Sequence, residues 1–168
     1  MNDMVHKLIV ILGLFTALLI AVSVMADDNV TKFSCGRSSI TLYNSNIEES
    51  PFFVITVWNG RSQNCYSLSV TLKSLNVRCE KDNKGNDYLL VSHLCGGSAC
   101  SESNYALIDL DNNKQVLNAS ERYKGNGDKA ASILGKTIRP FSCKKRSKGA
   151  VEPNESGEYC LVSRIILG

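Results

Sequence analysis

The chain has 168 residues, 43% of them hydrophobic, with seven cysteines and a formal net charge of +3. So small a total charge excludes a chain-wide field for polyanions. With His6 and His93 as its two histidines, the chain also lacks the means to build a zinc site from several histidines.

A short start ending at Lys7 leads into an apolar run from Leu8 to Met25, broken by Gly13, Thr16 and Ser23. Val24-Met25-Ala26 then puts small residues at the two positions a signal peptidase inspects, directly ahead of Asp27-Asp28. Residues 1–26 are therefore read as an export signal and 27–168 as one exported domain. The run approaches the roughly 20 residues that span a bilayer, so an uncleaved anchor is the rival reading and the one membrane contact expected. A domain of this size buries about two-thirds of its unfolded surface around one core.

Cys35, Cys65, Cys79, Cys95, Cys100, Cys143 and Cys160 all lie in the exported part, where oxidising conditions favour disulfides over a metal cluster. Seven is odd, so one thiol is free, shared between chains or mispaired. Close spacing suggests Cys95 with Cys100 and Cys143 with Cys160. Cys35, Cys65 and Cys79 then supply one more bridge and the odd thiol.

Strand signals dominate the chain. Phe52 to Trp58 is β-rich and apolar at both parities, as a central strand covered on both faces would be, and Asn59-Gly60 follows as its turn. In Tyr66 to Leu72 apolar residues alternate with Ser and Thr, the pattern of a sheet with one wet face. Leu75 and Val77 continue at the opposite parity, which predicts a bulge or turn near Lys73-Ser74. The polar run Asp82 to Asp87 makes a hairpin into Tyr88–Ser92. Beyond the segment His93-Leu-Cys95-Gly-Gly-Ser-Ala-Cys100 come a strand at Tyr105–Leu110, a turn at Asp111–Lys114 and a strand at Gln115–Asn118. One short helix is expected, capped by Asp128, running from Lys129 to Leu134 and ended by Gly135. Tyr159 to Leu167 reads as the last strand. The fold class is thus all-β: a single disulfide-stapled antiparallel domain, sandwich or barrel-like, with at most one short helix.

Between Arg122 and Lys148 nine basic residues face one acid, Asp128. Lys144, Lys145, Arg146 and Lys148 form its densest part, a basic patch able to steer an anionic partner, with a solvated loop as the plainer reading. Nucleic acid is not an expected partner, because export separates the two and aromatics are not interleaved with the basic residues as stacking recognition would need. No cofactor and no metal are expected. A His93, Cys95, Cys100 metal set competes with oxidation of those thiols. Asp109, Asp111 and Asn113 match the first oxygen ligands of a calcium loop, but Lys114 stands where Gly is needed and Ser120 where a bidentate Glu is needed, so a β-turn is expected there. Three glycosylation triplets, at Asn29, Asn118 and Asn154, have meaning only in a eukaryotic secretory pathway.

Catalysis has one opening. Gly96-Gly97-Ser98-Ala99-Cys100 departs from the nucleophile elbow at its last position, where Cys replaces Gly, and it leads into a strand where the elbow needs a helix. A hydrolase with Ser98 as nucleophile, His93 as base and Asp109 or Asp111 orienting it is the alternative function. The leading reading has no catalytic residues and acts by binding.

Tyr88-Leu-Leu-Val-Ser-His-Leu-Cys-Gly-Gly-Ser-Ala-Cys100 with Tyr105-Ala-Leu-Ile-Asp-Leu-Asp-Asn-Asn-Lys-Gln-Val-Leu117 runs strand, Gly/Ser loop, strand, acidic turn, strand. This order resembles that of type VI secretion amidase immunity proteins, and its tactic is similar to that of periplasmic lysozyme inhibitors. The resemblance implies a bacterial, periplasmic inhibitor, or failing that an extracellular one. It also implies a protein partner, a cell-wall hydrolase or secreted effector, plugged by a small-residue loop of Gly96, Gly97, Ser98 and Ala99. Physical chemistry makes the same loop plausible independently: glycines permit close backbone approach, a serine hydroxyl donates and accepts, and a Cys95–Cys100 staple would reduce the entropy lost on docking; a tight connection whose bridge only pins two strands is the plainer reading. A structural envelope protein with no dedicated ligand is the third possibility.

Overall fold

The computed structural model describes residues 29–44, 52–69, 74–93, 104–119, 125–143 and 152–162; the expected signal, residues 1–26, lies outside them. The described residues form β1 (Val30–Cys35), β2 (Ser38–Asn44), β3 (Phe52–Trp58), β4 (Gln63–Ser69), β5 (Ser74–Lys81), β6 (Asp87–His93), β7 (Tyr105–Asp109), β8 (Lys114–Leu117), α1 (Gly127–Leu134) and β9 (Glu158–Val162). No helix among them is long and apolar enough to cross a membrane.

The strands β1 to β4 pair in chain order as one antiparallel sheet. The second sheet has the order β8-β7-β6-β5-β9, a second meander with the last strand added antiparallel to β5. The sheets do not close into a barrel. They face each other as a sandwich, with Ile40, Leu42, Phe53, Ile55 and Val57 of the first sheet meeting Leu75, Val77, Leu89, Val91 and Ile108 of the second in one core.

A third layer covers the second sheet. Ala130 and Leu134 of α1 pack on Tyr88, Leu90, Tyr105 and Leu107, with Ile138 and Phe141 beside them. An eight-residue helix is far too short to be stable alone, so this packing holds it, at about 1.5–3 kcal/mol for each large apolar side chain fully buried.

The double covering explains why β6 and β7 are apolar at both parities, and it corrects the expectation for β3. That strand is inside its sheet, but among its residues with described side chains Phe53, Ile55 and Val57 are the ones that face the core. On its other face Val54 and Thr56 are half-buried and Trp58 is 46% exposed. No helix among the described residues lies on the first sheet as α1 lies on the second.

The parity change before Leu75, expected as a bulge or turn near Lys73-Ser74, falls between β4 of the first sheet and β5 of the second, and residues 70–73 lie outside the described ones. One boundary differs from the sequence expectation. The helix begins at Gly127 with Asn126 at its N-cap position, and Asp128 sits in its first turn, where a negative charge suits the helix dipole. Gly135 ends the helix as expected, in the left-handed conformation with φ 65°.

Disulfides join Cys35 to Cys79, tying β1 of the first sheet to β5 of the second, and Cys143 to Cys160 of β9. Cys65 is free and exposed. Such bridges belong to an oxidising, exported environment.

Candidate functional site

The sandwich has two unlike ends. At one end lie four tight hairpins, β1–β2, β3–β4, β5–β6 and β7–β8, rich in Asn, Asp and Gly. They are bound to one another across the sheets. Arg37 pairs with Asp111 at 3.1 Å, the Asn59 amide donates to the Asp111 carbonyl, and buried Asn113 donates to the carbonyls of Val57 and Ser62. This end is closed by its own hydrogen bonds.

At the other end the chain makes its longer connections, and the segment His93 to Cys100 belongs to one of them. The strands β6 and β7 are adjacent, antiparallel and in register to their ends, with Ser92 opposite Tyr105. The chain nonetheless takes residues 94–104 to pass between them, where hairpin loops usually need about 2–5 residues. Both roots of this connection are fixed. Ser92 and Asn104 are buried, and Tyr105 is held on its second side by Asn126: the Tyr105 N–H donates to Asn126 Oδ1 at 2.7 Å, and Asn126 Nδ2 donates to the Tyr105 carbonyl at 2.7 Å. Asn126 Nδ2 also reaches the Asn118 carbonyl at 2.9 Å. This carboxamide does the work of a strand residue where β8 does not extend, and so it makes no side-chain cap for α1.

A second root lies on the helix side of β5. Arg78, 1% exposed, donates to Glu80 at 2.7 Å and to Glu158 at 3.1 Å, donates to the carbonyls of Arg139 and Pro140, and lies over the Phe141 ring. The Glu158 carboxylate, fully buried, also accepts from the Ser142 N–H and hydroxyl at 2.8 Å and from the Asn154 amide at 3.0 Å. Burial alone would raise the pKa of Glu158, but the hydrogen bonds from Asn154, Ser142 and Arg78 prevail and hold it below the ordinary value. Glu80 is likewise lowered, burial being outweighed by Lys136 at 2.7 Å and by Arg78. Together with Cys143–Cys160, this network pins both ends of the connection 144–151.

The expected binding loop, Gly96, Gly97, Ser98 and Ala99 with Cys95 and Cys100, lies outside the described residues, as do Lys144, Lys145, Arg146 and Lys148. Of the wider basic stretch, Lys136 and Arg139 are engaged with Glu80 and Glu158. The acids proposed to orient His93 are misplaced for that role. His93 ends β6 opposite Leu75, whereas Asp109 pairs with Tyr88 near the start of β6, a separation of about 16 Å at roughly 3.3 Å per residue. Asp111 lies still further toward the closed end. Asp109 instead stabilises its turn, accepting from the Asn112 N–H at 3.0 Å and the Asn112 amide at 2.8 Å. Asn113 takes φ 48° in that turn, so the residues resembling a calcium loop form the expected β-turn. Cys143, Glu158 and Cys160 place ligand-type atoms within 4.8 Å of one another, but the sulfurs are bonded to each other and the carboxylate is saturated by its donors.

Sequence reasoning missed the Arg78 and Glu158 network, the Asn126 clamp and the outward face of the first sheet, where Trp58, Tyr43 and Cys65 are exposed. A lone Arg in a β5 sequence gives no sign of burial. The charge pattern Arg78-Cys-Glu80 was the one local hint, since it puts opposite charges on one face of a strand. Compared with known proteins, the chain matches no family model, no curated protein and no solved structure.

Proposed function

We propose that this protein acts by binding, as a periplasmic inhibitor of a cell-envelope hydrolase that presents Gly96, Gly97, Ser98 and Ala99 to the enzyme's cleft. The observation that carries this reading is the long connection between the adjacent strands β6 and β7, rooted in the doubly covered centre of the second sheet and clamped by Asn126. A loop rooted so firmly loses less freedom on docking than one on a mobile base. Its tip sequence is small and hydrogen-bonding, and the order of strands around it is the order that the resemblance to immunity proteins rests on. The basic connection 144–151, rooted by Cys143–Cys160, would steer an acidic partner mainly by raising the association rate.

The test is inhibition of peptidoglycan hydrolysis by a muramidase and by an amidase. Wild type should slow one of them, and Gly97→Arg should abolish the effect by clashing where close backbone approach is needed, with circular dichroism unchanged. Ser98→Ala should weaken inhibition by about 0.5–1.5 kcal/mol, the worth of one neutral hydrogen bond. Full inhibition by Gly97→Arg would reject the plug, and turnover of peptidoglycan by the protein itself, lost in Ser98→Ala, would favour the hydrolase instead.

A further inference from the structure

We propose that β4 is a self-association edge, at which two copies of this chain add strand to strand about a two-fold axis and join through Cys65. An open strand edge offers unpaired backbone groups to any other strand, and proteins guard such edges with charges, prolines, bulges or shortness. Among the described residues three of the four edges are guarded. The strand β1 carries exposed Lys32, β8 is four residues long with Lys114 and a register shift against β7, and β9 turns Glu158 inward. The strand β4 has none of these devices. It is seven residues long, Gln-Asn-Cys-Tyr-Ser-Leu-Ser, without charge or proline, and pairs with β3 in unbroken register along its whole length. Two copies therefore meet without the like-charge repulsion that a lysine-bearing edge would impose on itself.

The register follows from the exposed face. Gln63, Cys65 and Ser67 point outward together, Cys65 beside Thr56 with sulfur and hydroxyl 3.5 Å apart. An antiparallel pair centred on Cys65 sets each Cys65 opposite its mate and each Gln63 opposite the other copy's Ser67. Residues directly opposite in such a pair have Cα atoms about 4.5–5.5 Å apart, within the usual span of a disulfide. The bond forms by thiol–disulfide exchange with a low-molecular-weight disulfide such as oxidised glutathione. One Cys65 thiolate attacks it and releases one reduced thiol, and the second Cys65 thiolate then attacks the mixed disulfide and releases the other. Two protein thiols are oxidised and one oxidant disulfide is reduced to two thiols. The partner is a second copy, and β6 and β7 belong to the other sheet, so this proposal and the inhibitor reading fail separately.

The full exported chain is equilibrated with a mixture of oxidised and reduced glutathione and resolved on a non-reducing gel and by sedimentation equilibrium. Wild type should become a covalent dimer. Cys65→Ser should lose the covalent link and keep a concentration-dependent dimer. Gln63→Lys with Ser67→Lys should abolish both forms, because it sets two lysine pairs opposite each other. Gln63→Glu with Ser67→Lys should restore both, because the same register then pairs opposite charges, and it controls for any folding defect of surface substitution. A Cys65→Ser chain that stays monomeric at every concentration, a lysine pair that crosslinks as fast as wild type, or capture of Cys65 as a glutathione mixed disulfide without dimer would each overturn the proposal.

Discussion

At Arg78 a guanidinium has been taken out of water and surrounded by Glu80, Glu158, two backbone carbonyls and the Phe141 ring. A buried ion pair is poor evidence of net stability, but removing one partner strands the other and costs about 3–5 kcal/mol. Arg78→Met should lower stability by that order in urea unfolding near neutral pH. The pH dependence has a definite sign. The pKa values of Glu80 and Glu158 are below the ordinary value of 4.5 in the folded chain, so both stabilise fully above that value and lose their contribution as pH falls through their depressed values. The gap between Arg78→Met and wild type should therefore narrow as unfolding is repeated at pH 4 and then about pH 3. An unchanged gap would show that the site is held by packing alone.

The elements most legible in the sequence are those whose burial leaves a continuous apolar run or whose end falls on a glycine. Tyr88–Ser92 and Tyr105–Asp109 read as strands because both faces are covered, and Gly135 marks the helix end because its conformation is one that side chains disfavour. The first hairpin is not legible. Of the inward residues of β1 and β2, Thr31, Ser38 and Asn44 are polar yet at most 3% exposed, so the alternation that signals a half-buried strand is broken. The Asn126 clamp escapes for a different reason, since a contact between positions 105 and 126 exists only once α1 lies on the sheet. A Cβ at Gly135 would run into the Asn83 side chain, and the Asn83 N–H donates to the Leu134 carbonyl at 2.9 Å. Gly135→Ala should destabilise by at least about 1 kcal/mol through strain and this clash, although alanine is the better helix former. A neutral or raised thermal midpoint would mean that the β5–β6 hairpin gives way without cost.

For the molecule as a whole, the sequence reveals composition and compartment more readily than the function-bearing surfaces. Its cysteines are legible as staples, and Cys143 with Cys160 is suggested by nearness alone, whereas joining Cys35 to Cys79 requires that β1 and β5 face each other across the sandwich. The two bridges act on different scales. Cys143–Cys160 closes a separation of 17 residues and Cys35–Cys79 one of 44, and the chain-entropy account assigns about 3 and about 4 kcal/mol to them. Each bridge has one buried cysteine, Cys35 at 1% exposure and Cys160 at 7%, so loop length is what separates them. Cys35→Ala/Cys79→Ala should therefore unfold at lower urea than Cys143→Ala/Cys160→Ala. The shorter bridge spans one edge of the second sheet, while the longer one crosslinks the two meanders that make up the core. Its loss should also raise the denaturant slope if the unlinked denatured chain is more expanded. Equal midpoints for the two double variants would show that loop length does not govern these bridges, and that the Arg78 network does not substitute for Cys143–Cys160.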